Sequence, residues 1–227
     1  MAELAKAPTV SQEGDLFVLD LGDGENRLNA DWMYAVESAI GAAEAAAPPR
    51  ALVTVASGKF WSNGLDLEWM AANPEAVEGF VDRVHGIFAR FLAAGVPTVA
   101  AVQGHAFAAG AMFALAHDQI VMREDRGFFC VPEVDIRLPF TLGMTALLRA
   151  RLAPAIAHEA MTTARRYGGA EAAAAQIVAE AVGEERLGEA ARERAQARAA
   201  TDPATLAAIK ERLYAEALAV LRGPQQG

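Results

Sequence analysis

Cysteine is nearly missing: Cys130 is the only one in 227 residues. One thiol cannot close an intrachain disulfide, and it cannot build a thiolate zinc cluster. Basic residues are also few. Twenty Lys and Arg stand against 29 Asp and Glu, a net charge of −9. That balance disfavours nucleic acid, whose phosphates demand a basic footprint, and adhesion to an anionic membrane surface. No run reaches the roughly 18 charge-free apolar residues of a membrane span. The opening MAELAKAPTV has no apolar signal core, and the closing GPQQG carries no familiar targeting signal. A cytoplasmic chain is the expectation. Phosphate-loop, dinucleotide-binding, zinc-protease and nucleophile-elbow motifs are missing too. His85, His105, His117 and His158 show no ligand spacing, so no metal is expected.

Apolar residues are plentiful, at 53%, enough for one sizeable core. After a loose N-terminus, residues 15–21 alternate as a strand, and Asn29 is placed to cap a helix that ends at Pro48. ALVTV (51–55) is a short apolar run of the kind found in strands covered on both faces. Residues 75–94 read as an amphipathic helix stopped by Gly95 and Pro97. Residues 98–104, 119–124 and 127–131 read as strands, and 108–118 as a short apolar helix. Beyond Pro139 the pattern is helical almost to the end. Strands alternating with helices before a helical C-terminus predict an α/β core over 1–190 and a helical appendage over 191–227. The apolar stripe through Leu206, Ile209, Leu213, Leu218 and Leu221 suits a subunit contact and packing on its own domain equally well.

CVPEVDIRLPF (130–140) poses the chemical question, because it sets Glu133 and Asp135 into an otherwise apolar segment. A buried carboxylate is either partnered or reactive. Two further stretches bear on the choice. ALVTVASGKFWSNGLDL (51–67) is a strand followed by an Asn63-Gly64 loop, and TVAAVQGHAFAAGAMFALAHD (98–118) is a strand, a small-residue turn and a helix. Such turns expose backbone N–H groups to a ligand oxygen. Two of them plus one acid are the minimum equipment for removing a proton beside a thioester carbonyl.

From about Asp15 to Val182 the chain resembles the crotonase, or enoyl-CoA hydratase/isomerase, superfamily. NRLN (26–29), SGKFWSNGLDLEW (57–69), VPTVAAVQGHAFAAGAMFALAHDQIVM (96–122) and PEVDIRLPF (132–140) match its landmarks in order. The resemblance implies a spiral of ββα units with C-terminal helices that mediate homotrimers or hexamers. It also implies an acyl-CoA substrate and no cofactor. It assigns the thioester oxygen to the backbone amides of Asn63 and Ala109, and the base to Glu133. Trp61, Met112, Phe140 and Leu142 are expected to wall the acyl pocket, with core packing an equal account of Phe140 and Leu142. Arg27 and Lys59 are the candidate CoA-phosphate contacts.

Hydratases of the family use a second glutamate where this chain has Met112, so the resemblance implies an isomerase that shifts a 3-enoyl-CoA double bond to the 2-position. It looks closest to the isomerases of fatty-acid oxidation. Another reaction through the same enolate, or a catalytically silent fold, is the alternative. Where the family pattern has glycine, this chain has Ala108 and Ala109, and again Arg137. Arg137 has three open partners: Asp135, CoA phosphate or Glu133. Asp66 and Asp118 are expected to tie loop and helix ends.

Overall fold

The computed structural model describes residues 8–223. The expectations for the first seven residues and for 224–227 lie outside that range. A six-stranded sheet runs in the order β1 (Thr9–Glu13), β2 (Leu16–Asp20), β3 (Ala51–Val55), β5 (Thr98–Val102), β7 (Gln119–Arg123) and β9 (Glu180–Val182). Only β1 pairs antiparallel, in a hairpin with β2 that turns at Gly14. This hairpin replaces the loose N-terminus expected from sequence. Its strand TVSQE is exposed along its whole length and so carries no hydrophobic periodicity.

The central strands are apolar throughout because both faces are covered. On one face Val53, Val99, Ala101 and Val121 meet Leu187, Ala191 and Ala195 of α8 (Glu184–Gln196). On the other, Leu19, Leu52, Ala100 and Ile120 join the larger core with α1 (Ala30–Ala45), α3 (Val77–Ala93) and α4 (Ala109–Ala116). Period-2 alternation therefore sorts each strand between two cores. Asn29 caps α1 by accepting from the Trp32 amide at 2.9 Å.

A second, three-stranded parallel sheet joins β4 (Phe60–Ser62), β6 (His105–Phe107) and β8 (Phe129–Cys130). The sequence reads the first of these as loop and leaves the second, His105–Phe107, between a strand ending at 104 and a helix starting at 108. Three residues or fewer are too short a window for a pattern to emerge. Close approach of α4 to this sheet depends on Gly110: a Cβ there would stand 2.6 Å from the Ser62 carbonyl oxygen.

Downstream lie α5 (Leu142–Arg151), α6 (Pro154–Thr163), α7 (Gly169–Ala174), α9 (Pro203–Leu213) and α10 (Ala215–Arg222). The expected boundary at 190 falls inside α8. The final helix packs on its own domain, where Ala217, Leu218 and Leu221 enter the main core. On α9, Ile209 and Leu213 are exposed. Lys210, also on α9, is buried; its Nζ donates to the Ala94 carbonyl and to Asp118, both at 2.9 Å. Asp118 also accepts from the Thr98 amide at 2.9 Å, and Asp66 caps α2 (Leu67–Ala72) through the Trp69 amide. Both acids thus tie chain ends, as expected. Among the described residues no helix is long and apolar enough to cross a membrane.

Candidate active site

The three strands of the small sheet run parallel, so their C-terminal ends lie side by side. Leu65 follows the end of β4, Ala109 the end of β6 and Glu133 the end of β8, each by three residues or fewer. All three line one cavity of about 490 Å³, within the usual size for a small-molecule site.

Glu133 is 5% exposed, and among the described residues its Oε2 has no hydrogen-bond partner. Burial pushes its pKa up to about 7, against a smaller lowering by its own backbone N–H. No cation contributes. Arg137 is exposed with φ +57° and makes no ion pair among the described residues. It therefore pairs with neither Asp135 nor Glu133, and Asp135 is exposed.

The Ala109 amide has no acceptor within the described residues. Asn63 is different. Its amide donates to the Glu25 carbonyl at 2.9 Å and is not free for a substrate oxygen, so the expectation for Asn63 is corrected. The cause is Asn26, whose side-chain amide donates to the Phe60 and Trp61 carbonyls at 3.2 and 3.1 Å and lashes residues 25–26 along β4. The free amide lies two residues further on, at Leu65. Gly64 (φ +85°) makes the turn between them and packs against the second turn. A Cβ on Gly64 would lie 2.9 Å from Ala108 Cβ and 3.2 Å from the Ala109 nitrogen. A glycine with positive φ, which re-aims the next N–H, is the sequence signal that points to Leu65. Ala108 itself takes φ +51°, ψ −129°, a strained conformation for alanine.

The expected acyl walls are also corrected. Trp61 is fully buried and stacks on Phe113 at 5.5 Å, and Met112 is fully buried in the same core. Neither lines the cavity. Phe140 rests against the core from outside, while Leu142, the first residue of α5, is 60% exposed. The apolar walls are instead Leu67 and Met70 of α2, Val77 and Val81 of α3, and Ile136 and Leu138 of the loop after Glu133. Thr141 also lines the cavity; it caps α5 and shares a 2.9 Å hydrogen bond with buried His85.

The candidate phosphate contacts stand outside the cavity. Arg27 is engaged by Glu25, Asp66 and Glu68. Lys59 is exposed, with its ammonium 5.0 Å above the Phe60 ring. His105 does not line the cavity either. His117 is buried between Thr54 and the Phe113 carbonyl, and burial holds its pKa down at about 3, a structural histidine. Among the described residues no three His, Cys, Asp or Glu side chains gather as metal ligands.

A parallel sheet covered by helices, with a second small sheet set against it, is an α/β fold of the crotonase type. Residues 16–225 match the family described as enoyl-CoA hydratase/isomerase, and the chain belongs to that family. Enoyl-CoA delta isomerase 3 of Arabidopsis thaliana is 38% identical over 180 residues, 75% of this chain and 74% of the relative. Enoyl-CoA delta isomerase 2, peroxisomal, of the same plant is likewise 38% identical, covering 75% of each chain. An enoyl-CoA isomerase structure from Mycobacterium tuberculosis superposes with a TM-score of 0.86 at 26% identity, over 95% of this chain and 94% of that one.

Proposed function

We propose that the chain is an acyl-CoA isomerase that moves the double bond of a 3-enoyl-CoA to the 2-position. One observation carries the reading: a buried carboxylate whose Oε2 has no partner shares an apolar cavity with Leu65 and Ala109, whose amides have no acceptor among the described residues. Glu133 removes a C2 proton. Negative charge then develops on the thioester oxygen, where the Leu65 and Ala109 amides receive it. The double bond delocalises the charge to C4, and protonated Glu133 returns the proton there. A base with a pKa of about 7 is matched to both halves of this shuttle at neutral pH. Hydration would require a second group to position and deprotonate water, and the hydratase position holds buried Met112.

Related isomerases support the same reading, and family resemblance extends it to assembly as trimers or paired trimers, which light scattering reads directly. The enzymatic test is incubation with 3-hexenoyl-CoA while absorbance of the conjugated 2-enoyl product is followed. Conversion by the native chain and its loss in Glu133→Gln are expected. Full activity in that variant would remove Glu133 from the mechanism.

A further inference from the structure

The apolar walls of the cavity do not stop at its rim. Ten large apolar side chains are exposed among the described residues, and five of them belong to the two segments that wall the site. These are Leu67 at the start of α2, and Val134, Ile136, Leu138 and Leu142 in the stretch from Glu133 to the first turn of α5. Leu67, Ile136 and Leu138 line the cavity and are at the same time 45%, 49% and 40% exposed. Asp135 and Arg137 alternate with them in sequence and line no part of it. The backbone of this loop is tied down. The Asp135 and Ile136 amides donate to the Pro132 carbonyl at 2.9 and 3.2 Å, and the Leu138 amide donates to the Glu133 carbonyl at 3.0 Å. Arg137, at φ +57°, closes the turn.

Apolar surface left in water forgoes the free energy of its burial, and an exposed apolar patch continuous with a cavity marks a surface that a ligand covers. An acyl-CoA has one extended apolar part, its acyl chain. Its remaining portions carry phosphates and amides, which these side chains cannot satisfy. We infer that the cavity is open-ended at Leu67, Ile136 and Leu138, that the acyl chain runs out across them, and that the preferred substrates are long-chain 3-enoyl-CoA thioesters. This rests on the acyl-CoA reading above and names its substrate class.

Calorimetry with saturated, unreactive thioesters tests it without any turnover, using butanoyl-, octanoyl-, dodecanoyl- and hexadecanoyl-CoA below their micellar concentrations. A closed pocket sets a length beyond which added carbons gain nothing, and an open one does not. Affinity should rise through the whole series, by about twofold per carbon beyond octanoyl-CoA, the scale of half-burying each methylene. In Ile136→Ser/Leu138→Ser, and separately in Leu67→Ser on α2, the gain from octanoyl- to hexadecanoyl-CoA should shrink by about fivefold or more. An affinity of the native chain that levels off or falls beyond octanoyl-CoA would overturn the inference. So would a gain that both variants leave intact, or an equal loss at every length, which would put the lip on the CoA portion. Dissociation of an oligomer in light scattering of either variant, with the length dependence intact, would make the lip a subunit contact and overturn it too. A chain that shows the length dependence yet converts neither 3-hexenoyl-CoA nor 3-hexadecenoyl-CoA would sink the isomerase reading alone. Binding of none of the four would sink both.

Discussion

Two charged groups are buried to nearly the same extent in this molecule, and they are treated in opposite ways. Lys210, 4% exposed, is met by the Ala94 carbonyl and by the Asp118 carboxylate at 2.7 Å. Burial pushes its pKa down while Asp118 pulls it up. Glu133, 5% exposed, is met by nothing at Oε2. The first arrangement clamps the C-terminal helices to the start of β5. The second leaves a carboxyl group at a free-energy cost that folding alone gives no reason to retain. A group with that environment in a cavity is a candidate for chemistry, whereas the satisfied pair is a fastening.

The contrast can be broken in order of effect. Glu133→Gln should lower kcat for double-bond migration by a factor on the order of 10³ or more, since on the proposed mechanism one group carries the proton in both steps; stopped-flow absorbance reads it. Lys210→Ala should lower unfolding free energy by about 3 kcal/mol in denaturant titration, by stranding the partly exposed Asp118 carboxylate, with kcat/KM little changed. The opposite sign is expected when the lone acid is neutralised. The folded-state pKa of Glu133 is raised, so its ionisation opposes folding. That penalty is absent below about pH 4, grows through the window up to about pH 7 and is complete above it. Glu133→Gln should therefore be more stable than the native chain by about 3 kcal/mol at pH 8 and indistinguishable at pH 4 in paired melting experiments. In the active enzyme the same titration should produce an acid limb in kcat/KM near pH 7. The smallest effect concerns backbone strain: Ala108→Gly should raise stability by about 1 kcal/mol with activity retained, because glycine accepts φ +51° without steric cost.

The central strands β2, β3, β5 and β7, the capped first helix and the tying roles of Asp66 and Asp118 were legible in the sequence because each follows from local pattern or chemistry. Glu133 stood out for the same reason, as an acid in an apolar stretch. Asn63 was misjudged because amide availability depends on a distant side chain: Asn26 sets the Glu25 carbonyl against it, and spacing cannot reveal that. The wall residues were misjudged because proximity in sequence to the reactive turns was mistaken for proximity in space. Trp61 alternates inward from β4 into the core. Leu67, Met70, Val77 and Val81 reach the cavity from helices whose apolar faces look, in sequence, like ordinary packing.

The small parallel sheet has one further consequence. Neighbouring strands are held about 4.8 Å apart by their hydrogen-bond ladder, so the two amide-bearing turns and the carboxyl-bearing loop are mounted like adjacent teeth of a comb. The walls hang on separate helices. On the proposed function, remodelling α2 and α3 would therefore retune the length or polarity of the acyl tail while the comb keeps its pitch, and a new specificity need not disturb the proton's path.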